Sequence, residues 1–497
     1  VPDGRNADAT AATGGPRRAA SPETSADAVA VALRWLPAAL FGALVLFVVY
    51  TVAAPLNNMD TYFHLRFGEE FLDGHWSLRH PGSVSTFGTA PWIPTQWLPE
   101  VVMAQVESWF GLAGVAWLSG LQQLGLICAL YLVCRRWVDP VVVVILLIPT
   151  ITAASLGLSM RPQVLSYILV AVTIGAWLRT LEDGAPRWWL VPLTWLWAML
   201  HGMWPLGIAL GVVGVVGLVV DRRNDRRSVV KAALVPAASA VAAALTPLGP
   251  ALYGAVLGVG DRAQFFTEWG APDFTHVAAC AVLAGMIAIG VVLFIRAPER
   301  RWSDILYLLI ACACALWSYR TVPVAAIILM PLMGRAAQSM LPMAAQRLRR
   351  TEVLGVLGAS AAALALLAAV VPHTSDQPPA QPSWVDPALS ALPTGTKVVS
   401  EWSYSGYLMW KYPQLDLLMH GYGDTFTIPE LQRQTDIMTL EPGWDDQLRA
   451  THCEVAVLKP NYRLAYELEH VEGWRVIHRS PAMEMLVAPP GWASASS

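Results

Sequence analysis

Eleven apolar runs, near residues 33–54, 112–134, 138–157, 163–180, 188–204, 205–220, 229–248, 276–295, 302–319, 321–335 and 352–372, limit what this chain can fold into. A run of about 20 apolar residues crosses a bilayer as a helix, because hydrocarbon offers backbone N–H and C=O groups no partner outside the helix itself. The expected fold is a polytopic α-helical membrane protein with about eleven spans. A composition of 55% hydrophobic and 14% charged residues, with a mean hydropathy of +0.47, agrees. The bilayer is thus the first partner, and no nucleic-acid partner is expected. Six cysteines stand singly, five within or beside apolar runs, and suggest no disulfide framework.

Charge placement sets the orientation. With the N-terminus in the cytoplasm, the inner face collects 20 Lys and Arg residues, among them Arg135, Arg136, the cluster Arg222, Arg223, Arg226, Arg227 and Lys231, and Arg347, Arg349 and Arg350. The outer face before the last domain holds five: Arg66, Arg79, Arg161, Arg262 and Arg320. An odd number of spans then puts the C-terminal region outside the cell. With 29 Arg against 4 Lys, the composition hints at a GC-rich bacterial source, so the expected location is a bacterial plasma membrane.

Three regions follow. Residues 1–30, rich in Ala, Pro, Ser, Asp and Arg without periodicity, read as a disordered cytoplasmic tail. Residues 31–374 form the transmembrane domain, with long outer loops at 55–111 and 249–275. After a Pro-rich linker (Gln377–Pro382), residues 375–497 alternate short apolar runs with helical stretches. They read as a small extracytoplasmic α/β domain, its sheet expected to be largely parallel.

The polar residues that a bilayer disfavours are one-sided. Asp60, His64, Gln96, Glu100, Arg161, His201, Asp261, Glu268 and Arg320 all fall in outer loops or at outer ends of spans. In Asn57–Glu69 an acid and a His are one helical turn apart, so Asp60 and His64 share a face if the segment is helical. Asp60 also fits a plain helix N-cap. Arg161, before Pro162, and Arg320, in Trp317-Ser318-Tyr319-Arg320, break the positive-inside rule, and a planar guanidinium suits phosphate. His201 is followed by Gly202, which permits close approach. Glu268 lies among aromatics in Phe265-Phe266-Thr267-Glu268-Trp269. Asp60 and Glu268 with phosphate oxygens could form a hard-cation site for Mg or Mn, although nothing in the sequence demands one.

Taken in order, these motifs resemble the GT-C superfamily, integral-membrane glycosyltransferases that use lipid-phosphate-linked sugars. Met59-Asp60-Thr61-Tyr62-Phe63-His64-Leu65-Arg66 stands where members carry an acid in the first outer loop. Oligosaccharyltransferase catalytic subunits are similar there, in a later-loop Glu (Thr267-Glu268), in a late Arg (Arg320) and loosely in Glu401-Trp402-Ser403-Tyr404-Ser405-Gly406-Tyr407. Bacterial GT-C-like membrane proteins of unassigned activity are more similar still, through Gln96-Trp97-Leu98-Pro99-Glu100, Arg161-Pro162-Gln163, His201-Gly202 and Gly406-Tyr407-Leu408. The resemblance implies transfer of a sugar from a polyprenyl-phosphate donor to an extracytoplasmic glycan, lipid or protein, with inversion. It implies Asp60 as base with His64 and Glu268 at the catalytic centre. Arg161, His201, Arg320 and Arg66 would hold the donor phosphate. Gln96, Trp97, Glu100, Trp402, Tyr404 and Tyr407 would meet the acceptor. The first loop has one Asp where many relatives have paired acids, which leaves metal dependence open. The Trp402 motif lacks the Asp expected of a sequon site, which argues against glycosylation of Asn in protein. A catalytically silent envelope scaffold is the alternative, and a transporter is disfavoured by the one-sided polar set.

This topology predicts that a cysteine introduced near Gly88 or Asp424 reacts with a membrane-impermeant maleimide on intact cells. Labelling only after lysis would reject it.

Overall fold

The computed structural model describes residues 22–223, 225–341, 347–377 and 380–492. Up to residue 374 the helices are α1 (Pro22–Val52), α2 (Met59–Leu72), α3 (Trp97–Cys134), α4 (Pro140–Ala154), α5 (Gln163–Asp183), α6 (Leu190–Leu200), α7 (Trp204–Asp221), α8 (Arg226–Ala244), α9 (Ala251–Arg262), α10 (Ala278–Arg296), α11 (Trp302–Trp317), α12 (Val322–Met340) and α13 (Arg350–Thr374). Among the described residues nine helices are long and apolar enough to cross a membrane, and α6 and α11 are shorter apolar helices. Together they match the eleven expected runs, while α2 and α9 are helices within the two long loops. Of the tail expected to be disordered over 1–30, residues 1–21 lie outside the described residues. Residues 22–30 are helical, since Pro22 opens α1 and the Ala-rich stretch after it propagates a helix well.

Burial sorts the helices into an inner and an outer set. The spans of α5 and α12 are 78% buried, against 22–28% for those of α1, α8, α10 and α13. The two inner helices therefore pack on protein nearly all round, and the outer ones present apolar faces outward, as lipid requires. α3 changes direction at Gly111 (φ +63°), where a Cβ would stand 2.6 Å from Asp376 Oδ1. Asp376 accepts the Ala113 N–H at 3.3 Å and so caps the second half of the helix. Residues 97–110 thus belong to the first loop, and the span begins where the apolar run does.

In that loop Asn58, not Asp60, caps α2, its side chain accepting the Asp60 N–H at 2.9 Å. Asp60 is freed from the capping role that its position also allowed. α2 is buried over most of its circumference, with Tyr62, Phe63, Leu65 and Phe67 clustering with Trp76, Trp92 and Met103. Gly68 lets α2 lie against the Glu100 carbonyl, where any Cβ would collide.

The C-terminal region comprises α14 (Val385–Ser390), β1 (Lys397–Ser400), α15 (Trp402–Lys411), β2 (Asp416–Leu417), α16 (Ile428–Thr439), α17 (Trp444–Thr451), β3 (Val455–Leu458), α18 (Arg463–His470), β4 (Arg475–Arg479) and β5 (Glu484–Val487). The sheet order is β2-β1-β3-β5-β4. β2, β1 and β3 are parallel, whereas β5 runs antiparallel to both β3 and β4. The expected largely parallel sheet is therefore mixed. The link between β4 and β5 is too short for a crossover and closes as a hairpin on Ser480, whose N–H donates to the Met483 carbonyl at 2.9 Å.

One sheet face packs within the domain. The other shares its core with the first loop: Val398, Tyr407, Leu408, Val455 and Met485 cluster with Tyr62, Phe63, Leu65 and Phe67. Tyr62 meets Tyr407 edge-on at 5.1 Å, and Trp410 Nε1–H donates to Glu69 Oε1 at 2.9 Å. The Thr86 N–H donates to Asp416 Oδ1 at 2.9 Å. At Gly406 α15 approaches the Met59 carbonyl so closely that a Cβ would collide with it.

Gly406→Ala should accordingly cost about 1–3 kcal/mol, the usual scale of overpacking, read as a lower midpoint of thermal unfolding in detergent. Gly358→Ala, whose Cβ would meet nothing within 4 Å, is the control and should not fall. Equal midpoints would show that the contact between α2 and α15 is not tight.

Candidate active site

The first loop, the C-terminal domain and the ends of five spans meet around a cavity of about 190 Å³. Asp60, His64, Gln96, Arg161, His201, Glu268 and Arg320 all line it, although they span some 260 residues of sequence. Alternating helix direction brings them together. Arg161 precedes α5, His201 links α6 to α7, Glu268 sits on a 3-10 turn (Thr267–Trp269) after α9, and Arg320 sits on another (Tyr319–Thr321) before α12.

Four charges form one chain. Arg161 Nη1 donates to Asp60 Oδ2 at 2.7 Å and to Glu268 Oε2 at 3.1 Å. Arg320 Nη1 donates to the other Glu268 oxygen at 2.6 Å, and its guanidinium lies 5.1 Å over the Trp269 ring. Burial pushes the Asp60 carboxyl above its usual range, only partly offset by Arg161, and the Glu268 charge adds to the rise. Burial would raise Glu268 too, but Arg320 and Arg161 together outweigh it and hold its carboxyl low. Two like acids in one cavity are thereby driven apart in basicity. Among the described residues Asp60 Oδ1 accepts no hydrogen bond. It faces Gly421 of the C-terminal domain, where a Cβ would stand 3.3 Å away.

The two histidines are held differently. His64 Nδ1 lies 2.8 Å from Glu100 Oε1, both side chains buried, while Glu100 Oε2 has no hydrogen-bond partner among the described residues. His201 Nδ1 accepts the Met203 N–H at 3.3 Å and lies 3.0 Å from Ser166 Oγ, which takes the Trp197 Nε1–H at 2.7 Å. An accepting Nδ1 puts the His201 proton on Nε2, so a neutral His201 is a hydrogen-bond donor to the cavity. Burial holds both imidazoles well below their usual pKa, and Arg161 and Arg320 add to the effect.

Several expected site residues lie outside the cavity. Arg66 lies roughly 200° around α2 from His64 at 100° per residue, and it pairs with Glu69 and Glu70 of its own helix. Trp97 packs against the bundle core, and Glu100 reaches the cavity only through His64. The Tyr404 hydroxyl donates to the Ala482 carbonyl, and Tyr407 is buried against Tyr62. The Trp402 ring lies 5.3 Å from that of Phe266, tilted to it by 30°, and Phe266 does line the cavity. Asp261 is exposed. In place of these the cavity takes Thr95, Gln163, Arg262, Phe266, Trp269 and the segment Gly421–Asp424. Asp424 lies half-buried beside them, its carboxyl raised by burial against the pull of Arg262 and Arg320. The signal for this segment is His420-Gly421-Tyr422-Gly423-Asp424, an acid and aromatics spaced by glycines. A Cβ at Gly423 would collide with the Phe266 ring.

Asp60 and Glu268, the pair considered for a divalent cation, have the Arg161 guanidinium between them. Among the described residues no group of three or more His, Cys, Asp or Glu side chains is placed to hold a metal ion.

No protein-family model matches the chain, and no curated protein matches it either. Among solved structures it is similar to ArnT from Cupriavidus metallidurans bound to undecaprenyl phosphate, with 17% identity and a TM-score of 0.48, covering 92% of this chain and 98% of that one. The apo state of that ArnT gives 17% identity and a TM-score of 0.47, covering 93% and 100%.

Because the Glu268 carboxyl is depressed on folding, its contribution to stability is complete above the ordinary value of 4.5 and is lost as pH falls through the lower folded value. Glu268→Gln should therefore unfold at a lower temperature than wild type at pH 7. The gap should narrow as pH falls below 4.5. A gap unchanged down to pH 3 would mean that the ion pairs do not carry it.

Proposed function

We propose that the protein is a GT-C-like membrane glycosyltransferase. In this reading it moves a sugar from a polyprenyl-phosphate donor to an acceptor hydroxyl, on a glycan, lipid or protein, at the end of the bundle that carries the C-terminal domain. The observation that carries the reading is a carboxylate with one oxygen open to a cavity, set beside two guanidiniums fixed at the starts of the two most buried helices. Such a pairing separates a proton acceptor from an anion-binding surface within one small chamber. Sugar transfer from a phosphate ester needs both.

In the proposed step Asp60 takes the proton of the acceptor hydroxyl through Oδ1. The acceptor oxygen bonds to the anomeric carbon as the bond from that carbon to the phosphate oxygen breaks on the opposite face, with inversion. A carboxyl raised by burial is the better base for this purpose. Arg161, Arg320 and the Nε2–H of His201 meet the charge that gathers on the departing phosphate, usually the largest contribution in such reactions. His64, held by Glu100, positions the wall beside Asp60, and Gln96 and the Gly421–Asp424 segment border the space left for the acceptor.

Asp60→Asn keeps shape and removes the base, so transfer should fall by roughly 10²–10⁴-fold with protein level unchanged. The amide variants Glu100→Gln and Glu268→Gln belong in the same assay. Near-full transfer by Asp60→Asn with none by Glu268→Gln would move the base to the second loop. Full complementation of a deletion strain by all three would replace the enzyme with a scaffold.

A further inference from the structure

The cluster of Arg161, Glu268 and Arg320 is also the wall of a second cavity. On its far side Leu156, Gly157, Tyr167, Tyr319 and Pro323 help to enclose about 240 Å³, and the two cavities have Arg161, Gln163, Glu268 and Arg320 in common. The Tyr167 hydroxyl that lines this chamber is fully buried and has no hydrogen-bond partner among the described residues. An unpaired buried hydroxyl is costly. Gly157 lies against it, where a Cβ would collide with the hydroxyl oxygen.

Glu268 is held as a ligand would be held. Its two oxygens bridge guanidiniums from two different segments, at 3.1 and 2.6 Å. The carboxylate side chain is 34% exposed against 11% for Arg161 and 22% for Arg320, so it lies over the arginines rather than beneath them. None of the residues in the turn that carries it is buried. α5 and α12 each begin two residues after one of these arginines, their first turns line the same cavity through Gln163 and Pro323, and helix N-termini favour an anion. Carboxylate and phosphate make the same two-point contact with a guanidinium.

We infer that Glu268 stands in for a phosphate ester: the incoming phosphate replaces its carboxylate on Arg161 and Arg320, accepts a further hydrogen bond from the Tyr167 hydroxyl, and joins the two cavities by moving Glu268 aside. This rests on the reading above, in which a phosphate-linked donor binds here. It adds a second chamber, a fourth donor and an internal competitor. A lipid-borne phosphate and free inorganic phosphate present the same head to these groups.

The test is binding to the full chain in nanodiscs, titrated separately with inorganic phosphate and with farnesyl phosphate. Glu268→Gln should bind each about tenfold tighter than wild type, the scale of one released ion pair. Tyr167→Phe should bind each about fivefold more weakly. Asp261→Asn removes an exposed acid that lines neither cavity and should change affinity less than about threefold, the general electrostatic background. Farnesyl phosphate binding well ahead of inorganic phosphate assigns the lipid source, and equal binding assigns the free ion. Weaker binding by Glu268→Gln, an equal gain in Asp261→Asn, or no loss in Tyr167→Phe overturns the inference. Glu268→Ala serves if the Gln variant does not fold. Transfer is not read, so a protein that binds as expected but transfers nothing would reject glycosyl transfer and leave this inference standing.

Discussion

Two acids and two arginines in one small cavity fix the positions of everything around them. The Arg161 and Arg320 side chains are mostly withdrawn from water while the acids that pair with them are about one-third exposed, and leaving either guanidinium without its carboxylate would be costly. No one segment can satisfy the set, because each charge comes from a different connection between helices. The first loop, the turn before α5, the second long loop and the turn before α12 are therefore bound to one another at the end of the bundle. With α5 and α12 wrapped by the other helices, the arginines are the rigid members. The acids are carried by loops that come to them.

The second constraint is apolar. α2 presents Asp60 and His64 from a helix held by an aromatic plate that the first loop and the C-terminal domain share. Phe67, Trp76, Trp92 and Tyr422 meet edge-on or tilted at 5.0–5.7 Å. The same plate carries the Gly421–Asp424 segment to the cavity. The C-terminal domain is thus a wall of the site rather than an appendage, and the change of composition near residue 375 is not a change of core.

Much of this was legible in the sequence, and the reasons differ by region. Hydrocarbon forces long apolar helices, so the eleven runs stood out, and the choice of side for Lys and Arg made Arg161 and Arg320 conspicuous. Their convergence with Asp60, His64, His201 and Glu268 follows from alternating helix direction. What could not be read was set by packing between distant segments. Arg66 lies within the same motif as His64 but around the helix from it, a matter of two residues. Tyr404 and Tyr407 belong to a motif with site-like spelling, yet one is tied to the Ala482 carbonyl and the other serves the shared core. Asp424 and Tyr422 have no periodic pattern to announce them. Only the glycines beside them, which let the chain touch Phe63 and Phe266, hint at a crowded place.

The shared aromatic plate also sets an order of manufacture. Tyr62, Phe67, Trp76 and Trp92 leave the ribosome more than 300 residues before Tyr407 and Tyr422. At usual translation speeds that interval lasts about 15–70 s. Throughout it the first loop carries a large aromatic face with nothing of its own to cover it, and Asp60 waits for arginines still to be inserted. Because the C-terminal domain supplies that cover, a substitution that unfolds it would be felt as a failure of the first loop.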